Sequence, residues 1–473
     1  MAPMIDDELS TLSIGDTRLD DRAKMMVACM VDNPTASLPQ VFGDVNVAKA
    51  AYRFLSNPAV APEALYDAQR ESCAARLREE IGMVLVVHDT TAVSFNSHAA
   101  AEGLGPLGGP DDTPGYGLFA HTSMALSEDS VPQGILQQQT WARDPLQTGQ
   151  KHLRRERPFA EKESYRWLQG VRAAQAAIPD ELTALHIADR EADIFELLAA
   201  LRGEGAHFLI RLSHDRIVSE DADERDPEDA EGRQRLRELL AAEPPAGIQT
   251  VEVRQHPEHK PRAVHLEIRF REVTLPPPDG ALRRDPTLQP VTLTLIGATE
   301  VKPPKGRKPV AWLLLTDLPV ADFKAACRFV RYYSYRWRIE RFHYTLKSGC
   351  RLEDSQLQHV DRIERLLALY CIVAWRLLWL TYSSRTRGDL PCTVAFLEDE
   401  WHVMWRYYRW RDPIPDQPPA LRDATRWLAQ LGGFMARKGD GEPGVKVLWR
   451  GLIKLQDMVL GYLLAQRKDV GKA

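Results

Sequence analysis

Met83-Val84-Leu85-Val86-Val87-His88-Asp89-Thr90-Thr91 is an unbroken aliphatic run, rich in β-branched residues, that closes on an acid. Consecutive apolar residues without polar alternation describe a strand buried on both faces, of the kind found at the centre of a mixed or parallel sheet. A second such run, Leu185-His186-Ile187-Ala188, also closes on an acid, Asp189, and helical periodicity follows from Ala192 to Leu201. Open α/β sheets present their ligand-binding groups at the carboxyl ends of central strands. A single aspartate there more often caps the next helix. Two of them, each ending a buried strand, point instead to a shared cation site.

The rest of the chain arranges itself around these strands. Leu118–Leu126 and Gly134–Trp141 alternate in polarity about Ser127-Glu128-Asp129-Ser130 and read as a hairpin, and a helix is predicted near Lys162–Ala177. From about 205 to 318 the period changes to two, as in Val264/Leu266/Ile268/Phe270 and Val291/Leu293/Leu295, which predicts an inserted, mostly antiparallel sheet. The acidic stretch Ser219–Gly232 and the Pro276–Pro278 run read as solvated loops. Residues 1–65 carry helical punctuation only, with helices expected near Arg18–Val31 and Asn46–Leu55, and the tail from 385 is helical with proline interruptions. The expected architecture is α/β, a mixed sheet flanked by helices with a β-sheet insertion, between all-helical N- and C-terminal domains. The expected limits are 1–65, 66–384 and 385–473.

Composition narrows the partners. The 473 residues include 61 Lys and Arg against 66 Asp and Glu, for a net charge of −5, which excludes a uniformly basic nucleic-acid coat protein. The six cysteines are scattered without a paired spacing, so neither a zinc site nor a disulfide framework is expected. The N-terminus carries no secretory pattern, and Leu366–Tyr382, interrupted by Arg376, reads as a buried helix; a cytoplasmic protein without a membrane partner is expected.

Charge is concentrated in Arg331-Tyr332-Tyr333-Ser334-Tyr335-Arg336-Trp337-Arg338-Ile339-Glu340-Arg341-Phe342-His343-Tyr344-Thr345-Leu346-Lys347. At about 100° per residue, Tyr333, Arg336, Glu340 and Lys347 share an arc about 60° wide. Tyr332, Tyr335, Ile339, Phe342 and Leu346 form an apolar stripe opposite. Between Arg331 and Arg351 there are six basic residues and one acid, Glu340, with aromatic residues interleaved. Such a helix suits backbone phosphates and unstacked bases. A carboxylate held between cations and a phenol suits phosphoryl transfer on DNA. The plainer alternative is a solvated helix carrying an Arg–Glu (i, i+4) pair.

With these residues in view, the sequence resembles the cut-and-paste DD(E) transposases of bacterial insertion sequences. The branch is the one marked by a Tyr-x2-Arg-x3-Glu-x6-Lys motif, here Tyr333, Arg336, Glu340 and Lys347 with every spacing met. Asp-Arg-Glu-Ala-Asp-Ile at 189–194 and His-Asp-Thr-Thr at 88–91 resemble the two earlier acid blocks. Ala51–Phe54, Trp312–Thr316 and Leu431–Met435 extend the likeness over nearly the whole chain.

The resemblance implies a ribonuclease-H-like core in which Asp89, Asp189 and Glu340 are the catalytic, metal-binding triad for two Mg²⁺ ions, with Mn²⁺ substituting. It implies that Tyr333, Arg336 and Lys347 hold the DNA backbone, that Trp312 stacks on a flipped base, and that Arg211 is an active-site arginine. Arg18, Arg22 and Arg53 of the head would contact transposon ends in double-stranded DNA. The helical tail, including Leu431–Leu464, would pair two copies as a homodimer. The implied reaction is metal-dependent hydrolysis at the ends, a hairpin intermediate, and joining of the 3′-OH ends to target DNA. The chain departs from relatives at Val31-Asp32-Asn33-Pro34, where it carries an acid in place of a DNA-contacting side chain, and its first 62 residues hold five basic and eight acidic groups. Three rivals stand beside this reading: a structure-selective nuclease without strand transfer, a cleavage-dead DNA-binding descendant, and carboxylate-pair hydrolysis of a sugar. The last explains neither the basic helix nor the third acid.

Overall fold

A computed structural model describes residues 7–95, 101–108, 115–145, 156–218, 234–253 and 262–470. The acidic stretch Ser219–Gly232 lies outside the described residues. The central sheet runs through β1 (Val84–Ser94), β2 (Tyr116–Leu126), β3 (Pro132–Trp141), β4 (Ala184–Ala188) and β5 (Phe208–Arg211). In space their order is β3-β2-β1-β4-β5: β2 is antiparallel to both β1 and β3, whereas β4 lies parallel to β1 and β5 parallel to β4. This is the ribonuclease-H-like arrangement.

The expected inserted β region extends the core sheet. β6 (Gly247–Val253), β7 (Arg262–Leu275), β8 (Val291–Glu300) and β9 (Ala311–Thr316) continue the same sheet beyond β5 in the order β9-β8-β7-β6. Phe208–Arg211, at the start of the region expected from about 205 to 318, pairs directly with the central strands. It bonds β4 on one side, and on the other Leu314↔Arg211 and Leu315↔Ile210 join it to β9. A buried apolar strand at that position needs ladder partners on both edges, and β9 supplies the second.

The main helices are α1 (Thr17–Asp32), α2 (Val45–Leu55), α3 (Pro62–Leu77), α4 (Arg166–Ala177), α5 (Phe195–Glu204), α6 (Phe323–Tyr335), α7 (Trp337–Tyr344), α8 (Val360–Thr386), α9 (Glu398–Tyr408), α10 (Leu421–Leu431) and α11 (Val445–Val470). α1 starts where Asp16 accepts from the amide of Arg18, and α2 where Asp44 accepts from Asn46 and Val47. α3 begins on Pro62, at the helical position where its missing N–H costs nothing, and runs straight through the limit expected at 65.

Successive side chains of β1 and β4 point to opposite faces. On one face Leu85, Val87, Leu185 and Ile187 join a large core with α8, and on the other Val84, Val86 and Ala184 meet Cys73 of α3 and Ala174 of α4. α8 is long and apolar enough to cross a membrane, but it is buried within the protein as a core helix. Head and tail both pack on it. Arg376 on this helix is buried within electrostatic reach of Glu8, Glu400 and Asp32, so the acids of head and tail neutralise it. α10 and α11 nearly touch through their backbones, because Gly432 and Gly451 leave no room for a side chain between them.

Candidate active site

The sheet register brings the first two acids together. β1 and β4 pair in parallel up to Val87↔Ile187, so Asp89 and Asp189 lie two residues further along neighbouring strands. β4 and β5 pair up to Ala188↔Ile210, and one residue beyond is Asp189 beside Arg211. Asp89, Asp189 and Arg211 therefore occupy one row across three neighbouring strands, Asp189 and Arg211 at the ends of β4 and β5 and Asp89 midway along β1, which continues to Ser94. Asp189 also caps the turn that follows it, accepting from the amide of Glu191 at 2.9 Å. The cap and the site role coexist in one carboxylate.

The third acid arrives on a helix that is less regular than its periodicity predicts. α6 ends at Tyr335, Arg336 is the junction, and α7 runs only to Tyr344 before a π-turn over Thr345–Gly349. The face shared by four motif residues is thus broken at its end, since a π-turn advances less than 100° per residue. Lys347 instead donates to the carbonyl of Ala92 on β1 at 2.7 Å and lies 3.3 Å from Glu353. Tertiary packing explains the widening: Tyr344 stacks on Trp449 of α11, and Gly349 lies directly against the same indole.

Arg336 is the hub of the cluster. It pairs with Glu340 one turn ahead, so the i, i+4 pair does form. Burial pulls the guanidinium's pKa down, but Tyr333, Glu340, Asp89 and Asp189 outweigh it and hold the group above its ordinary value. Burial and the neighbouring acids push Asp189 and Glu340 up, against the opposing pull of Arg336. Asp89 goes the other way: burial raises it, yet His343 and Arg336 overcome burial and keep it below the ordinary carboxylate range. Three hard-oxygen donors converging with mutual repulsion fit a divalent cation. Among the described residues, however, no three such side chains are gathered closely enough to ligate one ion, and Glu340 is instead paired with Arg336.

Periodicity alone overlooked His343. Its Nδ1 lies 3.5 Å from the Asp89 carboxylate and its Nε2 3.2 Å from Thr122 Oγ1, and Thr122 faces Asp89 across the β1–β2 ladder. The signal was present, since His343 follows Glu340 by three residues and so shares its side of α7. On the opposite face, Ser123 Oγ and His88 Nδ1 are 2.8 Å apart, His88 Nε2 and His186 Nδ1 2.9 Å, and His186 Nε2 and Gln175 Oε1 3.0 Å. With the Gln175 oxygen accepting, the chain runs Ser123→His88→His186→Gln175 through neutral imidazoles, and burial pushes both histidines down, His186 to about 3. It bolts β1 to β4 directly beneath the two aspartates.

The other expected contacts scatter. Tyr333 is buried with its ring 5.1 Å from Trp312 and edge-on to it, and Trp312 is itself only 8% exposed, so little indole face is offered. Arg211 donates to the Ala311 carbonyl at 3.2 Å. Arg338 is structural: it lies over the Tyr382 ring at 3.9 Å and donates to Ser130. Arg351 pairs with Asp354. The excess positive charge of this segment is therefore divided between site and scaffold. On the head, Arg53 is exposed and Arg22 half-buried, whereas Arg18 is exposed and paired with Asp16 at 3.2 Å. Asp32, placed by sequence among DNA contacts, is partly buried and faces Glu400 of α9, a junction of head and tail.

Three family models match the chain in order: Transposase DNA-binding over residues 1–60, Transposase DDE domain over 167–376, and Transposase Tn5 dimerisation domain over 372–469. The DDE match contains Asp189 and Glu340, and Asp89, upstream of it, joins them through the sheet register. These matches establish DNA and a second copy as partners, and a DDE domain entails dependence on a divalent metal. Head, ribonuclease-H-like core and tail agree, and the chain belongs to the DDE transposases of bacterial insertion sequences.

Proposed function

We propose that this transposase belongs to the Tyr-x2-Arg-x3-Glu-x6-Lys branch and carries out end cleavage, hairpin formation and strand transfer with one active site. The observation that carries the proposal is the register that sets Asp89 beside Asp189 on β1 and β4, with Arg336 paired to Glu340 and within electrostatic reach of both aspartates. These acids would hold two Mg²⁺ ions, or Mn²⁺ in their place. The bound metal supplies Lewis acidity toward the attacking water and the departing 3′ oxygen.

The protein's own groups position the DNA. Arg336 exchanges Glu340 for a backbone phosphate, a bidentate partner that suits its planar fork, and so frees the carboxylate for metal. Tyr333 and Lys347 hold phosphates on either side, Arg211 adds charge at the end of β5, and Trp312 receives an unstacked base once Tyr333 moves from its face. Water's oxygen forms the new bond to phosphorus as the 3′ oxygen leaves. That 3′-OH then attacks the opposite strand, and after the hairpin opens it attacks target DNA. No covalent protein–DNA intermediate is required. Residues 1–65, with Arg18, Arg22 and Arg53, read the element's ends; 66–384 catalyse; 385–473 pair two copies into a paired-end complex.

The test compares Tyr333→Phe with Glu340→Ala on duplex DNA carrying the inverted repeats that flank the reading frame. Most activity should survive in the first and none in the second. A protein–DNA adduct through Tyr333 would refute the assignment. Cleavage without hairpin or joined products would reduce the protein to a nuclease.

A further inference from the structure

Trp405-Arg406-Tyr407-Tyr408-Arg409-Trp410-Arg411 closes α9 with its aromatic residues split between two jobs. Trp405 and Tyr408 turn inward onto Trp427 of α10, with ring centres 5.7 and 6.4 Å away. Tyr407 and Trp410 turn outward and are 59% and 72% exposed. The turn that presents them is fixed, because the Arg409 amide donates to the Trp405 carbonyl at 2.7 Å and the Asp412 amide to Arg409 at 2.8 Å. Arg411 lies 4.7 Å from the Trp410 ring centre, and Arg406, Arg409 and Arg411 are all exposed. Among the described residues none of the three is ion-paired with a carboxylate, unlike Arg18, Arg351 or Arg426 elsewhere on the surface.

We propose that this cluster is a docking surface for single-stranded DNA, separate from the active site, in which Arg409 and Arg411 take successive phosphates and Trp410 stacks on an unpaired base. Exposed aromatic faces set among cations are what unstacked nucleotides require, and duplex DNA offers no base face to such a ring. A second copy of the chain fits less well. The patch lies within the matched dimerisation domain, but centred on a two-fold axis it would meet its own image and set arginine against arginine. The chain also offers a better self-association surface in the exposed Leu460, Leu463 and Leu464 of α11. Arg406 lies 5.8 Å from the ring of Tyr462, which at about 100° per residue is roughly 150° around α11 from that leucine stripe.

The inference rests on the reading of the chain as a DNA transposase, and its test separates the two. Full-length protein is titrated against a fluorescein-labelled oligothymidylate of about 15 nucleotides, a length that covers one such site, and against a duplex of equal length. Dimer mass is followed by light scattering. Trp410→Ala should weaken oligothymidylate binding roughly tenfold or more, and Trp410→Phe should recover most of it. Arg409→Ala/Arg411→Ala should flatten the logarithmic salt dependence of that binding by about 1.4, as loss of two phosphate contacts requires. Dimer mass should not change in either variant. Unaltered oligothymidylate affinity in both variants, or dissociation of the dimer by Trp410→Ala, overturns the inference. If the wild type cuts transposon ends but binds oligothymidylate no better than Trp410→Ala, this proposal fails alone. If it neither binds nor cuts DNA, the reading of the active site fails with it.

Discussion

Asp32 is the last residue of α1 and an unfavourable place for an acid. Burial and the nearby Glu400 carboxylate push its pKa up from 3.8 to about 6, and the pull of Arg376 only partly offsets them. The negative end of the helix dipole adds to the misfit. A rise of that size corresponds to about 3 kcal/mol at most, at roughly 1.36 kcal/mol per pH unit. The native state holds a proton that the unfolded chain has released, so the contribution of this one group to stability is most favourable below pH 4 and is lost as pH rises through about 6. Asp32→Asn removes the penalty. It should stabilise the protein by up to about 3 kcal/mol at pH 8 and by roughly half that at pH 5. Urea unfolding followed by circular dichroism at the two pH values, with refolding verified, measures both. A variant no more stable than wild type at pH 8, or a gain as large at pH 5, would refute the reasoning.

Two further outcomes test other parts of the structure. His343→Ala should leave the fold intact and weaken metal affinity about 10- to 100-fold, because it removes the imidazole that orients Asp89; calorimetric titration with Mn²⁺ measures this, and wild-type affinity would count against the role. Gly432→Ala should destabilise the tail by about 1–3 kcal/mol and weaken the dimer, since a Cβ there meets the Val447 carbonyl, whereas Gly439→Ala, in open space, should change neither melting nor dimer mass.

The parts legible in the sequence were those set by local patterning. The runs before Asp89 and Asp189 announce buried strands by composition alone, and α1 and α2 begin at their aspartate caps. What escaped was set by distant packing. Nothing near Lys347 signals the π-turn, because its cause is Trp449, about a hundred residues away. The strand at Phe208–Arg211 read as part of the insertion because its four residues carry no mark of which strands they pair with, and β4 and β9 prove to be its neighbours. Asp32 looked like a missing DNA contact since its neighbour Glu400 lies far along the chain. Trp312 was legible as a residue, but not its burial against Tyr333.

The central claim is that Asp89, Asp189 and Glu340 act as one metal-dependent centre for DNA strand cleavage. The most direct measurement is Mg²⁺-dependent nicking of a duplex bearing the flanking inverted repeat, resolved on a denaturing gel, for wild type and Asp189→Asn. The two proteins should bind the duplex equally and fold alike. Wild type should release a 3′-OH end, and Asp189→Asn should release none at any Mg²⁺ or Mn²⁺ concentration. Equal nicking by both proteins, or nicking by wild type in excess chelator, would contradict the account.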